Sequence, residues 1–103
     1  MSISIGRLRR DRGMSVARPT ALGNPFVVGQ PYSRAESVAR YREWLPRELE
    51  QNETAGDQLA RIVAVACEGD VTLLCWCAPI SPCHAEVVRE IVELEIAATR
   101  GER

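Results

Sequence analysis

The stretch Val71-Thr72-Leu73-Leu74-Cys75-Trp76-Cys77 is nearly continuous apolar sequence, with β-branched and aromatic residues throughout. A strand of this kind has no polar face to offer water, so it belongs in the interior of a sheet with both faces covered. The rest of the chain must supply that cover. Ser2-Ile3-Ser4-Ile5-Gly6 alternates polar and apolar residues, the period of a half-buried strand, and Met14-Ser15-Val16-Ala17 begins a second short extended piece. The intervening Arg9-Arg10-Asp11-Arg12-Gly13 is polar and ends in Gly, which predicts a turn and places the two strands as a hairpin or as neighbours.

Three helices are marked by their ends. Ser33-Arg34-Ala35-Glu36 has the form of a capping box, with Val38, Tyr41 and Leu45 following at helical spacing beside Trp44, and Pro46 expected to end or kink the helix. Leu59, Ile62, Val63 and Ala66 form the stripe of a second helix that starts near Asn52 to Thr54 and stops at Gly69, with Cys67 packed at its end. Ser81-Pro82 starts a third helix, whose stripe is Val87, Val88, Ile91, Leu94 and Ala98, before a frayed tail over 99–103. The segment holding Arg18-Pro19, Gly23-Asn24-Pro25-Phe26 and Gly29-Gln30-Pro31 reads as an irregular loop. The expected fold is therefore α/β, a small three-stranded mixed sheet with three helices in the order β-β-α-α-β-α. The crossover from the second strand to the third is long enough to make that pair parallel. At 103 residues, without repeat or linker, the chain is a single domain.

Composition excludes several chemistries. All 13 basic residues are Arg, so Schiff-base lysines and a phosphate-loop Lys are ruled out. His84 is the only histidine, which rules out a metal site built from several histidines of one chain. The first 30 residues hold five Arg against Asp11 alone, and the remainder is acidic, which biases the N-terminal end toward anionic ligands or nucleic acid. No apolar run approaches the ~20 residues of a membrane span, and no basic segment followed by an apolar stretch opens the chain. A cytoplasmic location without membrane contact is the expectation, and in that reducing compartment four cysteines suggest metal, thiol chemistry or burial.

Three of those cysteines, with the histidine, fall within ten positions. Cys75 and Cys77 lie two apart on a strand, facing one side with Cα atoms about 6.6 Å apart. Cys83 and His84 fall in the first turn of the last helix, where exposed amides and the helix dipole lower a thiol pKa. His84 shares a helical face with Val88 and Ile91 and is expected to point at the sheet. Trp76, facing away from the cysteines, reads as a core residue. Three readings stay open. Cys75, Cys77, Cys83 and His84 have the ligand types of a closed zinc centre, although with unusual spacing. Alternatively Cys83, or Cys77, is a reactive thiol with His84 as its acid-base partner. Finally, free cysteines can act as small core hydrophobes beside a buried, hydrogen-bonded histidine.

The pattern Arg18-Pro19, Gly23-Asn24-Pro25-Phe26, Ser33-Arg34-Ala35-Glu36, Tyr41-Arg42-Glu43-Trp44-Leu45, Leu74-Cys75-Trp76-Cys77-Ala78-Pro79 and Pro82-Cys83-His84 resembles the domain of unknown function family 4326, small bacterial and bacteriophage proteins. The similarity runs from about Ile3 to Val92. In that family an Asp commonly stands where this chain has Glu86, and a Tyr-Ile-Gly-Arg strand is replaced here by Ser15-Val16-Ala17-Arg18. The resemblance implies a fold and a candidate site, but no activity.

Parallel second and third strands would bring the Arg18 to Phe26 loop and the start of the last helix to one carboxyl edge, where ligands of open α/β sheets gather. Arg18, Gly23 and Asn24 would then bind a small anionic ligand, a nucleotide or nucleic-acid-derived group, with Cys83 and His84 available for transfer or hydrolysis. A non-enzymatic, zinc-stapled interaction module is the competing reading. For Arg18 the structural alternative is an ion pair with Glu36 or Glu43.

Overall fold

The computed structural model describes residues 2–29, 31–76 and 82–99. Its elements are β1 (Ile3–Arg7), β2 (Met14–Ser15), α1 (Arg34–Gln51), α2 (Glu53–Glu68), β3 (Val71–Cys75) and α3 (His84–Thr99). The strands form one sheet in the order β1-β3-β2, with the apolar strand at its centre. Leu73, Leu74 and Cys75 are buried in succession, so both faces of β3 are covered at its carboxyl end.

The fold class and element order are as the sequence implies, but the sheet is parallel rather than mixed. β1 runs parallel to β3 in the register Ile3 to Val71 through Arg7 to Cys75, and β2 runs parallel to β3 with Met14 opposite Leu73. The first two strands are neither a hairpin nor neighbours. They flank β3, and the loop 8–13 steps from one of its edges to the other. Gly13 is present for that passage: a Cβ there would stand 2.1 Å from the Thr72 carbonyl oxygen. The loop is tied down by Asp11, whose carboxylate accepts from the Arg7 amide at 2.8 Å and from the Arg10 guanidinium at 3.0 Å. The Arg10 contact, then the Arg7 amide, holds that carboxyl below the usual range.

The capping box is formed at Ser33, whose hydroxyl accepts from the Glu36 amide while Glu36 accepts from the Ser33 amide. α1 does not end at Pro46 but continues to Gln51. Pro46 sits on the exposed side, while Val38, Tyr41, Leu45 and Leu49 continue a stripe against the core. Asn52 then closes one helix and opens the next: its amide donates to the Glu48 carbonyl, and its side chain accepts from Thr54 and Ala55. On α2 the buried line is Ala55, Leu59, Ile62 and Ala66, which leaves Cys67 exposed rather than packed.

On α3 the inward line is His84, Val88, Val92 and Ile96, at intervals of four. Leu94, assigned to the stripe on sequence grounds, is 70% exposed because it falls on the opposite side of that line. α3 packs on β1 and β3, α2 packs on β3, and the helices pack on one another. No described helix is long and apolar enough to cross a membrane.

Candidate functional site

Because β2 and β3 are parallel, the chain leaves both at the same edge of the sheet. The loop after β2 contributes Ala17, Arg18, Asn24, Phe26, Val27 and Val28 to one cavity of about 220 Å³. Trp76 follows β3 and joins that wall, as do Arg34 and His84, the first residues of α1 and α3. Arg18, Asn24 and His84, three of the residues singled out from sequence, thus border one pocket. Among the described residues lining it none is acidic, so two guanidiniums face it without a carboxylate on its walls. The amino ends of two helices add the positive ends of their dipoles.

The loop that builds this wall is held from behind by buried polar side chains. Gln58 of α2 accepts from the Leu22 amide at 3.0 Å and donates to the Ser15 carbonyl at 3.0 Å. The Tyr41 hydroxyl donates to the Leu22 carbonyl at 2.6 Å. Burial first, then the adjacent Cys83, pushes the Tyr41 phenol far above its ordinary range, so it remains a donor. Tyr41→Phe is therefore expected to lower stability by about 1–2 kcal/mol, because the Leu22 carbonyl loses its buried partner. Thermal unfolding that matches the wild type would show that this bond does not hold the loop.

Asn24 spends its amide locally: its Oδ1 accepts from the Phe26 amide at 2.8 Å, and its Nδ2 donates to the Ser37 hydroxyl at 2.8 Å. Ser37 in turn donates to the Phe26 carbonyl. Gly23 is buried under Arg18, and a Cβ there would meet the Arg18 amide nitrogen at 2.6 Å. These two residues shape the wall, while Arg18 stands exposed on it. Among the described residues Arg18 forms no ion pair with Glu36 or Glu43.

His84 is 5% exposed, and its Nε2 lies 2.7 Å from the Val16 carbonyl oxygen. A carbonyl can only accept, so Nε2 carries the proton of that bond, and in the neutral ring Nδ1 keeps the lone pair. Its ring meets Tyr41 edge-on at 5.2 Å. Cys83, 2% exposed, turns its sulfur onto that of Cys75 at 2.9 Å rather than lining the cavity. Its amide donates to Glu86 Oε2 at 3.1 Å, which gives Glu86 a capping role at the start of α3. Cys77 lies outside the described residues. Among those described, no group of three or more metal-ligating side chains comes together.

Sequence reasoning missed two residues of this site. Trp76, assigned to the core, is 47% exposed on the cavity wall, where the Arg9 guanidinium lies 5.6 Å from its ring centroid. Arg34, in sequence no more than the second residue of a capping box, is the other. Its Nη1 is buried, with no hydrogen-bond partner among the described residues. A cation as the first residue of a helix opposes the dipole, and this was the available signal.

The family model for a domain of unknown function, DUF4326, matches residues 4–94. The chain belongs to this family. The matched span covers β2, β3 and all of β1 but Ile3, with the loop after β2 and the start of α3, so every described wall of the cavity lies within the DUF4326 region. No curated protein and no solved structure matches the chain.

Proposed function

We propose that this DUF4326 domain binds a nucleotide or nucleic-acid-derived group, its phosphate held by Arg18 and Arg34 and its base against Trp76 and Phe26. One observation carries the reading: among the described residues a buried guanidinium nitrogen of Arg34 has no hydrogen-bond partner, and the wall it stands on holds a second Arg and no acid. A buried donor of this kind costs stability until an acceptor arrives, and a planar guanidinium suits a phosphate. Hydrolysis or transfer at the site would fall to His84, with Cys83 as nucleophile only if its thiol leaves Cys75. Such a ligand also assigns the protein to the cytoplasm, where nucleotides are pooled.

The test is titration of nucleoside mono- and diphosphates, followed by Trp76 fluorescence or calorimetry, on the wild type and Arg18→Lys. Lys keeps the charge but loses the paired planar donors, so affinity is expected to fall about tenfold while the melting temperature holds. Equal affinity in the two proteins would remove Arg18 from the site, and no binding at millimolar nucleotide would end the reading. Metal analysis addresses the competing zinc-stapled interaction module, which the convergence of Cys75 and Cys83 keeps in view. One zinc per chain, with loss of the fold on chelation, would favour that module.

A further inference from the structure

A second cavity of about 220 Å³ lies along α1, lined by Phe26, Arg40, Glu43, Trp44 and Arg47. Phe26 belongs to both cavities, so they meet at one aromatic ring. That ring is edge-on to Tyr32 at 5.8 Å and to Trp44 at 6.3 Å, and the Arg40 guanidinium lies 5.0 Å from the Tyr32 ring centroid. Each cavity alone is smaller than the roughly 300–1,000 Å³ of drug-sized ligand sites. A ligand filling both would be longer than one nucleotide.

Charge is partitioned to match. Residues 2–47 carry nine Arg against Asp11, Glu36 and Glu43, whereas residues 48–99 carry Arg61 and Arg89 against ten acids. Arg42 is engaged by Glu90 of α3 at 2.8 Å, while Arg40 and Arg47 stand exposed two helical turns apart on the groove. Seven residues of helix span about 10 Å. That is the reach of roughly three stacked nucleotides at about 3.4 Å each. Glu43, between them, offsets part of the positive charge.

We propose that the two cavities form one track for single-stranded nucleic acid, with a terminal nucleotide at Arg18 and Arg34 and the following backbone crossing Phe26 toward Arg40 and Arg47. Alternating aromatic rings and guanidiniums suit this class of ligand, because bases stack without sequence preference while cations follow the phosphates. The inference rests on the nucleotide reading above and extends it.

Fluorescence anisotropy of labelled, 5′-phosphorylated eight-nucleotide DNA and RNA, beside titration of the matching mononucleotides, tests it. Either octamer is expected to bind at least tenfold tighter than its mononucleotide. Arg40→Ala with Arg47→Ala is expected to remove about tenfold of that gain and to reduce the salt dependence by roughly 1.4 log units per log unit of salt, leaving mononucleotide affinity unchanged. Both residues are exposed, so folding should be retained, and the Lys pair at the same positions should restore most of the salt dependence. Octamers binding no tighter than mononucleotides, an unaffected double variant, or an acidic peptide of equal charge binding as well would overturn the track while the nucleotide pocket stands. If mononucleotides fail to bind as well, both readings fall.

Discussion

Gly23→Ala is expected to destabilise the protein by about 3 kcal/mol, at the upper end for added volume in a packed site, and to abolish the proposed nucleotide binding. The added Cβ would stand 2.6 Å from the Arg18 amide nitrogen and 2.7 Å from its Cα. Neither is the free end of a side chain, so neither can swing aside. Relief requires the loop to lift from Arg18, which would strain the Leu22 hydrogen bonds to Gln58 and Tyr41 that hold the loop to the helices. Denaturant titration and ligand titration should therefore fail together. A variant with wild-type stability and affinity would show that the loop relaxes locally and that Gly23 is not fixed by packing.

The elements were legible because each announced itself locally. Ser33 with Glu36, Asn52 and Gly69 mark helix ends through side chains that satisfy nearby backbone groups, and these are short-range physics. The central position of β3 followed from its lack of a polar face. The parallel pairing of the second and third strands was legible from the crossover length; what escaped was the partner of the first strand. Arg9 to Gly13 has the composition of a hairpin turn, yet a parallel neighbour reached through a six-residue loop needs the same polar residues and the same Gly. The difference lies in where Gly13 sits against Thr72, a contact between residues far apart in sequence. Cys67 lies one position from the buried Ala66, and Leu94 lies on the far side of α3 from Val92; an apolar pattern alone admits more than one stripe, and only packing against the rest of the fold selects one.

The site was legible in outline for the same reason and obscure in detail for another. Parallel strands bring Arg18 and the start of α3 to one edge, and that inference needed only the crossover length. Gln58 and Ser37 could not be found this way. A buried Gln on an apolar stripe is recognisable only once the Leu22 amide and Ser15 carbonyl it serves are in place. Cys83 reads as a poised thiol at a helix start, but folding turns it onto Cys75 beside Tyr41.

Arg34→Met is expected to separate binding from folding with opposite signs. Met keeps much of the apolar stem while removing the guanidinium whose Nη1 is buried without a partner among the described residues. An unsatisfied buried donor costs about 1–3 kcal/mol, so the ligand-free variant should be at least as stable as the wild type. Nucleotide affinity should fall about thirtyfold, equivalent to roughly 2 kcal/mol for a lost charge-assisted contact. Linkage makes this visible in one instrument, since ligand at a hundred times its Kd stabilises the folded state by about 2.7 kcal/mol. The wild type should thus gain several degrees of melting temperature with nucleotide, and Arg34→Met should gain little at the same concentration. If Arg34 only braces the start of α1, the outcome reverses: the ligand-free variant melts earlier and the shift induced by nucleotide is preserved. That result would withdraw Arg34 from the site.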